Sequence, residues 1–376
     1  MGHDKLRKFA ENETFSCLLQ PSAQELLADG YFHLRDHAVK GRWTQFFSAL
    51  PVAGSPRQNF ASLIPPTAPQ RVPPVHEVTG DHGFAGETGN PAALVLELGC
   101  GKGEYTIALA ERDPERNYVG VDIKGARLWK GAKYATEHAL PNVAFLRTRV
   151  EFITAFFAPG EVSEIWLTFS DPQYRSENSR LCSPLFLERY RSFLKPGGIV
   201  HLKTDSRFLH EYARAVCAAN GLRILACTTD LYGTADAESS VPAVAPGNCA
   251  TLGIIRGGTA SEAQRWGPKD VSGGELPDSS ASAVQPVVRE VQTFYEQLFL
   301  EQGYPITYLS FVIDHDGPYV SPRDPEQFDS KAWRAAEGPR LLFGHDSAET
   351  RRQKLHGTCS PDLSSPEIGL PTLIIK

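Results

Sequence analysis

Short apolar runs recur along the middle of the chain and alternate with amphipathic segments. The apolar runs predict strands at 94–98, 118–122, 143–147, 164–169, 198–203 and 222–228, and an edge strand at 306–313. The segments between them predict helices at 103–112, 124–139, 184–194 and 206–219, and VQTFYEQLFLEQG predicts one more before the edge strand. Because strands alternate with helices, we predict an α/β fold with a doubly wound, mostly parallel central sheet and helices on both faces.

Two stretches rich in Pro, Gly and small polar residues interrupt this pattern. Residues 50–92 predict a linker or long loop, and the stretch at about 233–288 predicts a low-complexity insertion, because neither can bury enough apolar surface to offset its ordering entropy. The chain then divides into an N-terminal segment at 1–49, the linker, a domain at 93–313 that carries the insertion, and a C-terminal tail at 314–376 of unknown role.

The first predicted strand runs into LELGCGKG, where three glycines stand at alternating positions. Gly99, Gly101 and Gly103 supply a turn without Cβ atoms, along which a backbone approaches a ligand closely, and the next helix points free N–H groups at that ligand. The spacing is GxGxG, whereas the dinucleotide fingerprint requires GxGxxG. Glu97 would repel a pyrophosphate but suits the cationic methionine end of a sulfonium cofactor. We therefore favour S-adenosylmethionine as the ligand.

Three more acidic residues follow predicted strands, at the edge where the carboxyl ends of parallel strands meet. Asp122 ends the second strand, where a carboxylate can accept both ribose hydroxyls of a nucleoside. Asp171 follows the fourth strand in a turn that Pro172 stiffens, and Asp205 follows the fifth. Each has an ordinary alternative: a solvated strand end for Asp122, a turn residue for Asp171 and a helix N-cap for Asp205. Their common edge favours a ligand site.

Composition limits the other chemistry of the chain. The net charge of −6 argues against a nucleic-acid surface that covers the whole protein, so a basic surface must be local. The second predicted helix groups Lys124, Arg127, Lys130 and Lys133 on one face, either as a solvated face or as phosphate contacts.

No metal site and no membrane segment are predicted. The seven cysteines form no CxxC pair and the 11 histidines no HExxH motif. No apolar stretch approaches the ~20 residues that span a bilayer, and the N-terminus has no apolar signal core. We expect a cytoplasmic protein that does not contact membranes.

Together these motifs resemble the bacterial tRNA (guanine-N7-)-methyltransferase family, whose members are class I S-adenosylmethionine-dependent methyltransferases with a Rossmann-like fold. The matching segments occur in family order and cover about half of the chain: MGHDKLRKFAENETF, KGRW, LELGCGKGEY, YVGVDIKGARLWKGAKYA, NVAFLR, EIWLTFSDPQ, LFLERYRSFLKPGG, HLKTDS and TFYEQLFLEQGYPITYLSF. The glycine loop alone is shared by class I methyltransferases generally. The combination of DPQ, KPGG, LKTD and TFYE is more specific.

The resemblance implies roles for individual residues. It assigns the catalytic role to Asp171, the cofactor to Glu97, Gly99, Gly101, Gly103, Asp122, Arg149 and Asp171, and the tRNA substrate to Arg175, Asp205, Thr293, Phe294, Tyr295 and Glu296. Two departures from the family pattern qualify these roles. Many relatives have GDAE after the third strand where this chain has TRVE, so a backbone contact at Arg149 is expected to replace the acid near the adenine. The basic run that follows the Asp-Pro turn in relatives is reduced to Arg175 and Arg180.

The implied activity is methyl transfer from S-adenosylmethionine to N7 of a guanine in the variable region of tRNA, by a monomer or a homodimer without a metal. Three alternatives stay open. A nicotinamide dehydrogenase would need a glycine where the chain has Glu104. A non-catalytic RNA-binding subunit that retains the fold fits the reduced basic run and the negative charge, and a small-molecule methyltransferase fits the loop and the acids equally well.

Overall fold

The computed structural model of the chain describes residues 2–27, 34–50, 92–233, 285–322 and 328–337, all within one compact unit. Its helices are α1 Gly2–Asn12, α2 Ala23–Leu26, α3 Trp43–Ser48, α4 Glu104–Arg112, α5 Gly125–Glu137, α6 Pro184–Arg191, α7 Arg207–Ala219, α8 Pro286–Glu290, α9 Phe294–Glu301 and α10 Ser330–Glu337. Its strands are β1 Leu18–Leu19, β2 Leu94–Leu98, β3 Asn117–Asp122, β4 Val143–Arg147, β5 Val162–Thr168, β6 Leu194–Thr204, β7 Ile224–Thr228 and β8 Thr307–Val312. Short 3-10 helices cover Val150–Ala155 and Glu177–Ser179.

The strands form one sheet in the order β1-β4-β3-β2-β5-β6-β8-β7. All neighbouring pairs are parallel except those of β8, which runs antiparallel to β6 and β7. The predicted doubly wound, mostly parallel α/β fold is confirmed. The predicted edge position of the strand at 306–313 is wrong, because β8 lies between β6 and β7 and every one of its residues is buried.

The neighbouring strands β2 and β5 mark the point where the chain changes direction across the sheet. From β2 the chain continues to β3 and β4 on one side, and from β5 to β6 on the other. Connections that leave two adjacent parallel strands in opposite directions open a crevice beyond their carboxyl ends, where ligands bind in open α/β sheets. The glycine loop follows β2 and the Asp-Pro turn follows β5, so the topology brings the two motifs together.

The ring of Phe145 on β4 fills a space that three glycines leave open. A Cβ added at Gly120 would lie 2.9 Å from the ring and one at Gly131 2.6 Å from it, and a Cβ at Gly103 would also meet it. Carbon atoms in contact normally stay about 3.5–4.0 Å apart. Phe145 therefore packs the glycine loop, β3 and α5 against one another at distances that only glycine permits.

The N-terminal segment packs against the sheet and α5. Strand β1 pairs with β4, and the side-chain amide of Asn12 in α1 donates to the Gly125 carbonyl at 2.9 Å. The indole of Trp43 in α3 is buried and donates to the Phe156 carbonyl at 2.9 Å. A two-residue strand such as β1 has no periodicity, so the sequence pattern did not predict it.

Most of the predicted linker and insertion lie outside the described residues. Residues 51–91 and 234–284 belong to that part, whereas the end of the insertion forms α8, in which Val288 is fully buried. In the predicted C-terminal tail, α10 contacts α7 through the rings of Trp333 and Phe208, whose centroids are 5.7 Å apart. Across the ranges given above, every helix is too short or too polar to traverse a bilayer.

The packing of Phe145 predicts that Gly131→Ala destabilises the fold although alanine favours helices. The new Cβ would lie 2.6 Å from the Phe145 ring and 2.8 Å from the Lys102 carbonyl oxygen, which belongs to the backbone of the glycine loop. Overpacking of this kind typically costs about 1–3 kcal/mol, which we expect as a lower free energy of unfolding in urea.

Gly125→Ala is the matched control in the same helix. The three atoms nearest to its Cβ would be side-chain atoms of Arg147 and Phe9, at 3.1 Å, and the long arginine can move aside. Equal stability of the two variants would show that Phe145 does not constrain this packing.

Candidate active site

The glycine loop after β2 has the backbone of a ligand-binding turn. Gly99, Gly101 and Gly103 have φ angles of +82°, +58° and +75°, in the left-handed region that favours glycine. A Cβ at Gly99 or Gly101 would meet nothing within 4 Å, so open space borders the loop at both positions. The Gly99 amide donates to the Val121 carbonyl at 2.8 Å, which holds the loop against the end of β3. Helix α4 begins just after Gly103.

Asp122, at the end of β3, is bonded to this loop. One carboxylate oxygen accepts from the Gly101 amide at 3.1 Å and the other from the Lys124 amide at 2.7 Å. The side chain is largely buried, and each oxygen retains a second lone pair for another donor. Asp122 therefore occupies the predicted edge and also fixes the conformation of the loop.

Glu97 lies inside the end of β2 and is only 3% exposed. One oxygen accepts from the backbone amide of Thr106 at 2.8 Å and from its hydroxyl, and the other accepts from the hydroxyl of Thr168. Burial raises the pKa of Glu97 to about 7, against hydrogen bonds from both threonines that lower it. A cation next to this carboxyl would favour its ionised form, as predicted for the methionine end of the cofactor.

The Asp-Pro turn after β5 begins with an unusual backbone. Phe169 has a φ of +49°, a conformation that costs a bulky residue about 1–3 kcal/mol, and its amide donates to the Lys203 carbonyl at 2.8 Å. Asp171 is exposed, and one of its oxygens accepts from the Gln173 amide at 2.9 Å. Strained backbone concentrates at functional sites. The turn thus presents the Asp171 carboxylate to solvent from a constrained segment.

Asp205 is half-buried between β6 and α7, at the same edge of the sheet. The N-cap of α7 is Ser206, whose hydroxyl accepts from the Leu209 amide at 3.1 Å. The interpretation of Asp205 as the helix cap is therefore wrong, because the following serine fills that position.

The two arginines after Asp171 have different surroundings. Arg175 is exposed. Arg180 is buried, donates to the carbonyl oxygens of Gln173 and Tyr174 at 3.3 and 3.2 Å, and lies over the Tyr212 ring. Arg180 consequently stabilises the loop that carries Asp171, and Arg175 is the arginine of this pair that faces solvent.

Residues Thr293 to Glu296 form the start of α9. Thr293 and Glu296 form a reciprocal capping box, in which the Thr293 hydroxyl accepts from the Glu296 amide at 3.2 Å and the Glu296 carboxylate accepts from the Thr293 amide at 3.3 Å. Glu296 is fully buried. Phe294 is 57% exposed, Tyr295 is half-buried, and both rings lie near the Lys102 ammonium of the glycine loop, at 5.3 and 5.7 Å.

Arg149 follows β4 at the predicted adenine side of the edge. Arg147, two residues earlier, pairs in register with Asp122, so Arg149 lies close to the end of β3. Its side chain is exposed and contacts the Glu151 carboxylate at 3.1 Å. Within the described ranges, no three His, Cys, Asp or Glu side chains are grouped as a metal site requires.

Several contacts of the site were not predicted from the sequence. Thr106 and Thr168 donate hydrogen bonds to Glu97. Lys203 is buried in a strand, and since a lysine is almost never fully buried unless it is paired, its position in an apolar run was a sequence signal for a buried partner. In α10, the carboxylate of Glu337 accepts from the Tyr174 hydroxyl and from the Phe208 amide at the start of α7, the latter at 2.6 Å. The segment after Asp171 and the segment after Asp205 are thereby joined by one carboxylate.

The raised pKa of Glu97 predicts a pH-dependent stability. A carboxyl whose pKa is raised from 4.5 to about 7 by folding stabilises the fold fully below pH 4.5, and this contribution is lost as the pH rises through 7. Relative to Glu97→Gln, which has no proton to lose, the wild-type free energy of unfolding should fall by up to about 3 kcal/mol over that interval. Urea unfolding between pH 5 and 8 measures the difference.

Thr168→Val is the control for this assignment. It removes a hydrogen bond that lowers the pKa of Glu97, so the midpoint of the transition should move to higher pH. A difference between wild type and Glu97→Gln that stays constant from pH 5 to 8 would contradict the assignment.

Comparisons with known proteins identify the family. A family model described as "Putative methyltransferase" matches residues 91–239. The tRNA (guanine-N(7)-)-methyltransferase of Christiangramia forsetii is 37% identical over 312 residues, which cover 82% of this chain and 98% of the relative. Proteins of the same name from Cytophaga hutchinsonii and Bacteroides thetaiotaomicron are 46% and 40% identical over 62% of this chain, and the matches cover 84% and 74% of those relatives. Given the extent of the first match, the chain belongs to the tRNA (guanine-N(7)-)-methyltransferase family.

Proposed function

We propose that this chain transfers the methyl group of S-adenosylmethionine to N7 of a guanine in the variable region of tRNA, in the cytoplasm. The observation that carries the proposal is the adjacency of the glycine loop and the Asp-Pro turn at the carboxyl ends of β2 and β5. Membership of the family supports the same activity. The oligomeric state, monomer or homodimer, stays a prediction.

The residues around the loop fit a sulfonium nucleoside. The open space beside Gly99 and Gly101 admits the cofactor close to the backbone. Asp122 retains acceptor capacity for the ribose hydroxyls, and Glu97 supplies a carboxylate for the cationic methionine end. The backbone at Arg149, one strand further along the same edge, is the proposed contact for the adenine. When bound, the cofactor supplies an electrophilic methyl group.

Asp171 is proposed to position the guanine rather than to remove a proton. Guanine N7 has a free lone pair and no proton, so its methylation needs no general base. Orientation can lower a barrier by about 7–11 kcal/mol, whereas general-base catalysis contributes about 10²- to 10⁴-fold, and here only the first effect applies. The exposed carboxylate of Asp171 would accept hydrogen bonds from the guanine N1–H and exocyclic amine.

Asp205, a second acid at this edge, is proposed to stabilise the charge that methylation places on the guanine. Methylation leaves a positive charge on the purine, and carboxylates placed before the reaction stabilise that developing charge. Asp205 is half-buried after β6, the strand that pairs with β5, which suits it to this task together with Asp171. Arg175, exposed three positions beyond Pro172, is proposed to contact the RNA backbone.

The central prediction concerns Asp171→Asn. The asparagine oxygen can still accept from the Gln173 amide, but its NH₂ group would face donors of the guanine. Hydrogen bonds to a charged group are worth about 1.5–3 kcal/mol each, so the loss of two should lower kcat by roughly 10²- to 10⁴-fold. The measurement is transfer of labelled methyl to unmodified tRNA, with the position of the label determined on the isolated nucleoside.

The binding of adenosylhomocysteine should stay nearly unchanged in Asp171→Asn. Asp113 lies at the C-terminal end of α4. Asp113→Asn is therefore the matched control and should retain full activity. Loss of cofactor binding in Asp171→Asn would contradict the positioning role. A wild-type chain that binds adenosylhomocysteine without labelling tRNA would instead favour the non-catalytic subunit.

A further inference from the structure

Lys203 is a cation on an interior strand, β6, and its side chain has no exposed surface. Its ammonium contacts the Glu296 carboxylate at 2.7 Å and donates to the carbonyl oxygens of Val288 and Val291 at 2.7 and 2.8 Å. The Tyr232 hydroxyl, at 3.3 Å, is a further acceptor, so the three protons of the ammonium are all satisfied. Lys203 therefore joins β6 to α8, to the residue that follows α8, and to α9.

Stability alone is a poor explanation for this buried pair. Taking both charges out of water costs about as much free energy as their attraction returns, and apolar side chains of similar volume often serve as well. Burial lowers the pKa of Lys203 below its usual range, although the neighbouring Glu296 carboxylate opposes that shift. The geometry that the pair imposes on its surroundings is the better explanation.

The pair fixes the first turn of α9. Glu296 accepts from Lys203 with one carboxylate oxygen and from the Thr293 amide with the other. The next residue, Phe294, donates its backbone amide to the Glu104 carboxylate at 3.1 Å. Because Glu104 is the first residue of α4 after the glycine loop, this chain of contacts holds Phe294 beside that loop.

The side chains that this turn leaves accessible are suited to RNA. The Phe294 ring is more than half exposed, and the Lys102 ammonium is 5.3 Å from its centre. An exposed aromatic ring next to a cation provides a stacking surface for a base and a charge for the adjacent phosphate. The side chains of Thr293 and Glu296 instead bond to each other's backbone, and Glu296 also bonds to Lys203.

We propose that Lys203 is a positioning residue for methyl transfer to tRNA. Through Glu296 it holds the turn at Thr293 and Phe294 beside the glycine loop, so that the Phe294 ring stacks on a base of the substrate. Thr293 and Glu296 serve the substrate indirectly, by holding the turn. The inference rests on the proposed function for the nature of the substrate.

The test is a double-mutant cycle between the buried pair and the exposed ring. Lys203→Met combined with Glu296→Gln removes both charges and leaves an acceptor for the Thr293 amide, and Phe294→Ala removes the ring. The Kd for unmodified tRNA is measured by filter binding, and kcat by transfer of labelled methyl. We expect each arm alone to raise the tRNA Kd about 10-fold, as for a lost base–aromatic stack, and the combination to raise it no further.

Two controls separate positioning from general loosening of the fold. Val320 is an exposed apolar residue whose backbone amide contacts Asn220 at the C-terminal end of α7. Val320→Ala should leave the tRNA Kd unchanged. The pair variant should bind adenosylhomocysteine as the wild type does. If the pair variant does not unfold cooperatively, Thr293→Ala takes its place in the cycle, because it removes only the cap, and Thr293→Ser should restore tRNA binding.

The results of this double-mutant cycle are distinct from the results that test the proposed function. Independent, multiplicative effects of the pair and the ring on the tRNA Kd, or an unchanged Kd in Phe294→Ala, would overturn the positioning role. The proposed function is tested separately, by whether the wild-type chain labels N7 of guanine. The Kd measurements of the cycle do not depend on catalytic turnover.

Discussion

The buried carboxyl of Glu97 is the interaction on which the rest of the site depends. It accepts hydrogen bonds from Thr106 in the first turn of α4 and from Thr168 at the end of β5, so one side chain connects the two segments on either side of the crevice. A buried carboxyl without such partners would be costly. With them, an acid is held at the end of β2, where a cationic ligand favours its ionised form. The position of Asp171, three residues after Thr168, follows from the same contact.

The fold and the edge that carries the site could be predicted because they rest on local patterns and one topological rule. Apolar runs identify strands, and the carboxyl ends of parallel strands must meet, which is enough to bring Gly99, Asp122, Asp171 and Asp205 to one edge. The position of β8 could not be predicted in this way, since sequence order does not show that a returning strand inserts between two earlier ones. Its complete burial reflects that insertion.

The partners of the charged side chains required the structure. Thr168 lies 71 residues from Glu97 in the chain, and neither the spacing nor the residue type of either threonine indicates the contact. Family resemblance suggested that Thr293 and Glu296 contact the substrate, but it did not indicate that Thr293 caps α9 or that Glu296 contacts Lys203. The contacts of Glu337 also required the structure. This residue of α10, near the C-terminal end of the described chain, contacts the segments after Asp171 and Asp205.

The central claim is that the cofactor pocket and Asp171 face each other across the crevice between β2 and β5. A crystal structure of the chain with adenosylhomocysteine tests it most directly. The account predicts the ribose at Asp122, the amino acid end near Glu97 and the sulfur directed towards the Asp171 carboxylate. Adenosylhomocysteine bound with its sulfur directed away from that carboxylate, or bound elsewhere on the protein, would contradict the account.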